Sequence, residues 1–191
     1  MSQMKQFLFI TKASVLFCVL SAGFSLLGIL FAEKGPQINP VTSLSIQEVL
    51  GHLAWGLIAG IVTLSLRYVI LTGLFAVLID SDHLIGLAHI DAISRMSHSI
   101  TFGIIAAVVL VLVFGKKNYL LGAVAFSGML AHLSFDIFGA EDGKFPIFTP
   151  FYNHQISFPN ADWIYFEIAA IAIIGLVVIL TKKETVKVKI K

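Results

Sequence analysis

The chain has 191 residues and a formal net charge of +2, and 58% of its residues are hydrophobic whereas only 13% are charged. A soluble domain carries about 25% charged residues, so this composition, with a mean hydropathy of +0.94, predicts an integral membrane protein. Nucleic-acid binding is excluded, because the sequence has no basic stripe with interleaved aromatic residues. The single cysteine, Cys18, excludes a disulfide framework and a thiolate zinc site.

Six apolar stretches approach the length of about 20 residues that a helix needs to cross a bilayer. We therefore predict an all-α integral membrane helical bundle, a single membrane domain over residues 1–191, with six transmembrane helices. The third stretch is short, and five helices cross if it does not. The first stretch is too long for a signal-peptide core of about 7–15 residues, so we expect an uncleaved helix. The predicted spans are residues 7–32, 49–66, 68–79, 99–114, 119–138 and 163–181.

The segments between and after the spans differ from them in composition. Residues 33–46 and 139–162 contain several glycines or prolines and are predicted to be loops. Residues 182–191 are rich in lysine and are expected to form a frayed, solvated tail.

The positive charges predict how the chain crosses the membrane. With six crossings and the N-terminus inside, ten of the 13 Lys and Arg residues lie on the inner side, and only Lys34, Arg95 and Lys144 lie outside. Cytoplasmic loops carry such an excess. The sequence therefore predicts a multi-pass protein of the cell (inner, cytoplasmic) membrane, with both termini cytoplasmic.

On this topology, carboxylates and imidazoles gather at the outer ends of the helices. The tract from residue 78 to 99 alone contains three aspartates and three histidines. Of these, His89 and Asp91 are expected on a solvated loop. His154, in a proline-flanked loop, could gate a site, and Asp162 and Glu167 open the last helix. The residues predicted to converge are His52, Asp80, Asp82, His83, His98, His132 and Asp136.

Two sequence spacings place these histidines on packed helix faces. His132 and Asp136 are four residues apart and share one face of a helix, which Gly128 continues. His52 is followed by Gly56 and Gly60 at the same spacing, and such a pair allows two helices to approach closely. Both histidine faces are therefore predicted to point into the bundle.

Imidazole and carboxylate groups together suit zinc, manganese or iron. Charged groups at membrane depth normally pair or line a cavity, so the alternative is a set of structural hydrogen bonds between helices. We therefore predict one or two divalent metal ions, with zinc foremost. Such an ion would activate water for hydrolysis. Asp82 and His98 are also candidates for catalysis, and Arg95 could stabilise an anionic phosphoryl oxygen. The candidate ligands or ligand-supporting residues are His52, Asp80, Asp82, His83, His98, His132 and Asp136.

The ordered motifs resemble the YdjM-like inner-membrane proteins, a LexA-regulated family described as metal-dependent hydrolases. That family has an early histidine on a helix, a D-x-D-H tract, an H-R-G-x-T-H-S tract, an H-x-x-x-D helix and a later Pro-Phe segment. The resemblance covers about residues 50–165. The corresponding positions here are His52, 80–83 (DSDH), 94–99 (SRMSHS), 132–136 (HLSFD) and 146–151 (PIFTPF).

One departure from the family pattern affects the candidate site. Ser94 stands where the family has histidine, and Met96 where it has glycine. If that histidine is a ligand or proton donor, this chain binds metal differently or more weakly. The resemblance implies hydrolysis of phosphoester bonds, with the lipid bilayer as partner and a lipid as a possible substrate. The alternatives are a non-catalytic metal-binding membrane protein or a small transporter, and no oligomeric state is predicted.

Overall fold

The computed structural model describes residues 2–31, 45–87, 95–115, 117–140, 142–152 and 154–189. Within these ranges the chain forms seven α-helices, several short 3-10 turns and one antiparallel hairpin. The helices are α1 (Gln3–Leu26), α2 (Ile46–Gly60), α3 (Leu66–Leu78), α4 (His83–Leu87), α5 (Ile100–Phe114), α6 (Tyr119–Gly139) and α7 (Trp163–Lys189), and the strands are β1 (Asp142–Phe145) and β2 (Ile156–Pro159).

Five helical segments are long and apolar enough to cross a membrane, which confirms the predicted all-α bundle. The third segment is not the short one that the sequence indicated. Helix α3 continues through the 3-10 turn Ile79–Asp82 into α4, and together they give a 20-residue apolar segment, Leu66–Ile85. Asp80 and Asp82 interrupt the apolar run in the sequence, but both side chains are buried and the backbone stays helical. The shortest apolar helix is instead α5, with 15 residues.

Two predicted loop or tail regions are more ordered than the sequence suggested. Residues 139–162 contain the hairpin of β1 and β2, because two of the three prolines lie between the strands and the third, Pro159, ends β2. The predicted frayed tail continues α7 to Lys189, since lysine is a good helix former. The predicted loop 33–46 lies mostly outside the described residues, and α2 begins at its end, at Ile46.

Helix α6 lies at the centre of the bundle and packs against α2, α3, α5 and α7. Glycines bring these helices close together, as the sequence predicted. A Cβ atom on Gly56 of α2 would lie 2.6 Å from the backbone oxygen of Thr72 in α3, and one on Gly128 of α6 would lie 2.8 Å from Cβ of Phe75. The helices that carry His52 and His132 are thus held tightly against α3.

The surface of the bundle is apolar, as expected for a protein surrounded by lipid. Large aliphatic side chains on three different helices, Val15, Leu112 and Leu176, are each more than half exposed. At one end of the bundle, in contrast, several aspartate and histidine side chains are buried inside it.

Candidate metal centre

Seven aspartate and histidine side chains meet at one end of the bundle. Helix α2 supplies one, the segment from the end of α3 to the start of α4 supplies three, the residue before the N-cap of α5 supplies one, and α6 supplies two. Six of the seven residues are buried, and Asp136 is nearly so, with an 8% exposed side chain. They are His52, Asp80, Asp82, His83, His98, His132 and Asp136, the set that the sequence predicted to converge.

One part of this cluster lies between α2 and α6. The Nε2 atoms of His52 and His132 each lie 3.4 Å from a different carboxylate oxygen of Asp136. The two imidazole rings stack with their centroids 3.9 Å apart. Because His132 and Asp136 are one helical turn apart, α6 presents both to the same point.

The other part of the cluster surrounds the turn after α3. Asp80 Oδ1 lies 3.5 Å from Nε2 of both His98 and His132, and 3.6 Å from Nε2 of His83. The second oxygen, Oδ2, lies 3.5 Å from Nε2 of His52. Asp80 therefore faces four imidazoles, with His52 on one oxygen and the other three on the second.

Five of the atoms that point into the cluster are buried and lack hydrogen-bond partners among the described residues. Leaving such an atom unsatisfied costs about 1–3 kcal/mol, and several such atoms in one place fit a site that could hold a cation. These atoms are Nε2 of His83, His98 and His132, Oδ1 of Asp82 and Oδ2 of Asp136.

The separations between these atoms fit ligands of a common cation. Two ligand atoms on a tetrahedral zinc ion, each at about 2.1 Å, are about 3.4 Å apart, and the nitrogen-to-oxygen distances around Asp80 and Asp136 are 3.4 to 3.7 Å. These distances are too long for good hydrogen bonds. Three groups have ligand atoms within 4.8 Å of one another: His52–His132–Asp136, Asp80–His98–His132 and Asp80–Asp82–His83.

A second layer of contacts orients two of these side chains. His132 Nδ1 lies 2.6 Å from the carbonyl oxygen of Ala76, so it donates a proton there and leaves Nε2 with a free electron pair. Metal-binding histidines in proteins are normally oriented in this way. Asp82 Oδ2 accepts hydrogen bonds from Ser97 Oγ at 2.7 Å and from Ser25 Oγ at 3.2 Å. The other oxygen, Oδ1, is therefore available to bind a cation.

Helix α1 contributes to the site through its serines, a role that the sequence did not predict. Ser21 Oγ donates to the carbonyl of Ile79 at 2.7 Å, and Ser81 Oγ donates to the carbonyl of Cys18 at 3.1 Å. Ser25 Oγ also accepts from the backbone N–H of Ser97 at 3.1 Å. The spacing of Ser21 and Ser25, one turn apart on an apolar helix, was the available signal.

His98 lies in a strongly negative environment. Burial alone would lower its pKa, but the neighbouring carboxylates of Asp82 and Asp80 outweigh burial and raise the pKa of His98 to about 9. The ring of Phe145 in β1 stacks parallel to that of His98, at 6.4 Å between centroids. The carboxylates therefore favour positive charge on His98, and the hairpin covers one side of its ring.

Two partly exposed charged side chains mark the edge of the cluster. Arg95, with a left-handed φ of 60°, places Nη1 3.5 Å from Asp136 Oδ2, and its side chain is 28% exposed. Glu48 places Oε2 3.8 Å from His52 Nε2, and its side chain is 44% exposed. Glu48 was not among the predicted site residues because the second span was predicted to begin at Val49, although Glu48 and His52 share a helix face.

Other candidates from the sequence do not join the cluster. His89, Asp91 and Ser94 lie outside the described residues. His154 contacts the ring of Tyr152, at 5.1 Å between centroids. Glu167 on α7 is buried, but no ion pair or hydrogen bond within the described part of the chain joins it to the cluster.

The fold and the site together define a class: a helical protein with spans long enough for a membrane and a buried His/Asp cluster that could bind metal. No protein-family model matches the sequence, and no curated protein or solved structure matches it either. The resemblance to the YdjM-like family therefore stays a prediction, and function has to be argued from the site.

Proposed function

We propose that this protein is a membrane-bound, metal-dependent hydrolase of the YdjM-like kind, which acts on phosphoester bonds of lipids or of other substrates close to the membrane. The observation that carries the proposal is the set of buried, unpartnered imidazole and carboxylate atoms at 3.4 to 3.7 Å from one another. Purely structural hydrogen bonds would satisfy these atoms at shorter distances.

Zinc is the cation that we propose, because neutral imidazole Nε2 atoms and carboxylate oxygens 3.4 to 3.7 Å apart suit it. A divalent cation in such a site acts as a Lewis acid and activates water near neutral pH. Asp82 and His98 lie 3.5 Å apart and together form a carboxylate–imidazole pair that can hold a proton. Arg95, at the edge of the cluster, is positioned to donate hydrogen bonds to an anionic phosphoryl oxygen.

The position of the cluster favours a site that opens on one membrane face, and we propose the extracytoplasmic face. All seven donors lie at one end of the bundle, and the residues from Ile104 to Phe114 and from Ala170 to Leu180 include no ionisable side chain. A transporter would need polar groups along a path across the bilayer. A lipid headgroup at that face, in contrast, would lie at the depth of the cluster.

Metal analysis of the purified full-length protein tests the proposal most directly. Wild-type protein in detergent is expected to retain stoichiometric zinc, whereas His132→Ala and Asp82→Ala retain less zinc per chain and His154→Ala, outside the cluster, retains as much as wild type. Wild-type protein should also hydrolyse phospholipids in mixed micelles, and His132→Ala should not.

Different failures have different meanings. A wild-type protein without stoichiometric metal contradicts the proposal as a whole. Metal binding without turnover supports the non-catalytic alternative, and turnover that survives His132→Ala rules out this site as the catalytic one.

The proposed orientation has its own test, because it rests on the charge distribution. Reporter fusions at Lys116 and at Lys144 are expected to report opposite sides of the cell membrane, with Lys116 cytoplasmic. If both fusions report the same side, the assignment of the cluster to the extracytoplasmic face is wrong.

A further inference from the structure

The cluster contains more donors than one cation takes. A tetrahedral zinc ion takes four ligands, and catalytic sites use three from the protein, whereas seven side chains point into this cluster. Two of the three ligand groups, His52–His132–Asp136 and Asp80–Asp82–His83, have no residue in common. Each of these two groups is by itself a complete set of three protein ligands.

Asp80 belongs to the second group and also contacts histidines of the first. Its Oδ2 is 3.5 Å from Nε2 of His52, which belongs to the first group. Its Oδ1 is 3.6 Å from Nε2 of His83, in its own group, and 3.5 Å from Nε2 of both His98 and His132, the latter in the first group. Asp80 therefore contacts histidines of both groups, and its two oxygens are placed to bind two neighbouring cations, one with each oxygen.

We propose that the site binds two divalent cations and that the carboxylate of Asp80 bridges them. This inference rests on the metal binding in the proposed function but not on the hydrolysis. One cation would be held by His52, His132 and Asp136, and the other by Asp82, His83 and His98, with one oxygen of Asp80 on each.

The charges of the buried groups agree with two cations rather than one. Three buried aspartates carry three negative charges, and histidines that bind metal are neutral. One divalent cation would leave the buried cluster net negative, which opposes an anionic phosphoester. Two divalent cations leave one net positive charge, which attracts it, and paired metals are a common arrangement in phosphoester hydrolysis.

Manganese is a suitable probe, because two Mn²⁺ ions that share a carboxylate are magnetically coupled and give an electron paramagnetic resonance spectrum distinct from that of an isolated ion. Full-length protein in detergent is stripped of metal with a chelator and titrated with Mn²⁺. Wild type is expected to bind two ions per chain and to give the coupled spectrum.

Variants assign the two positions. Both His132→Ala and His83→Ala are expected to keep one ion per chain with an uncoupled spectrum, because each variant removes a ligand from a different group. Asp80→Asn is expected to lose the coupled spectrum, because an amide nitrogen cannot bind a cation. His154→Ala is the matched control and should bind two coupled ions, like wild type.

Three outcomes separate this inference from the proposed function. One Mn²⁺ per chain in wild type, or two ions without coupling, overturns the bridged pair and leaves the hydrolase proposal standing. Two coupled ions without lipid phosphoester turnover support the pair and contradict the hydrolase. If wild type binds neither Mn²⁺ nor zinc, both the bridged pair and the proposed hydrolase are overturned.

Discussion

The two halves of the candidate metal centre are positioned in different ways. His132 and Asp136 lie one turn apart within α6, so regular helix geometry alone brings them to one face. Asp80, Asp82 and His83 lie almost consecutively in a 3-10 turn and the start of α4, and hydrogen bonds from other segments hold that turn. The first half depends on its own helix, whereas the second depends on α1 and on the residues before α5.

The difference explains how much of the site the sequence could predict. The spacing of His132 and Asp136 and the glycines after His52 identified the helix-borne members of the cluster and the faces on which they lie. The order of aspartates and histidines identified the turn. The predicted third span nevertheless ended at Ile79, because the sequence alone does not distinguish a buried aspartate from one in a solvated loop.

The support of the turn could not be predicted in the same way. Ser21 and Ser25 are separated from the turn by more than fifty residues, and serine in an apolar helix is compatible with a simple membrane span. The hairpin that covers His98 was not predicted, because the prolines in residues 139–162 indicated a loop. The helical architecture followed from hydrophobic length alone, whereas these contacts depend on which helices become neighbours.

Removal of a helix-borne ligand should have the largest effect. His132 belongs to two of the three groups that could hold a metal ion. His132→Ala removes the imidazole nitrogen that both groups share. Loss of a residue that only hydrogen-bonds to a ligand lowers metal affinity by about 10–100-fold. We expect the loss of His132 to lower zinc affinity by more than this. Competition with a chromophoric chelator measures it, and affinity within a few-fold of wild type would show that His132 is not a ligand.

Removal of a hydrogen bond to the turn should have a smaller effect. Ser97→Ala deletes the 2.7 Å hydrogen bond to Asp82 Oδ2, and we expect a fall in zinc affinity of about 10–100-fold. Ser127→Ala is the matched control, because it removes a buried 2.8 Å hydrogen bond to the carbonyl of Ala170, away from the cluster. Equal losses of affinity in both variants would contradict a specific role for Ser97.

The close packing of α2 against α3 positions His52 and can be tested through stability. A Cβ at Gly56 would meet the backbone of Thr72 at 2.6 Å and that of Gly73 at 2.8 Å. Such overpacking costs about 1–3 kcal/mol, so Gly56→Ala should lower the free energy of unfolding in detergent. Gly23→Ala, where nothing lies within 4 Å, should not lower it, and equal destabilisation would argue against a close contact between α2 and α3 at Gly56.

The smallest effect is expected where α1 contacts the turn. Ser21→Ala removes the hydrogen bond to the carbonyl of Ile79, and such a bond contributes about 0.5–1.5 kcal/mol. Ser14→Ala on the same helix is the control, because its buried hydroxyl has no hydrogen-bond partner among the described residues. Denaturant unfolding in detergent should distinguish the two, and identical unfolding free energies would show that the bond does not stabilise the turn.

The hydrogen bond between His132 and Ala76 has a consequence for folding as well as for metal binding. The carbonyls of the last turn of a helix lack an intrahelical donor, and His132 of α6 supplies one to α3. Its other nitrogen faces candidate ligands from α2, from the turn after α3 and from the residue before the N-cap of α5. A bound ion would thus join helices that are distant in sequence. By thermodynamic linkage, zinc at 100 times its dissociation constant would add about 2.7 kcal/mol to the stability of the folded bundle, so the availability of metal would help to decide whether the protein stays folded.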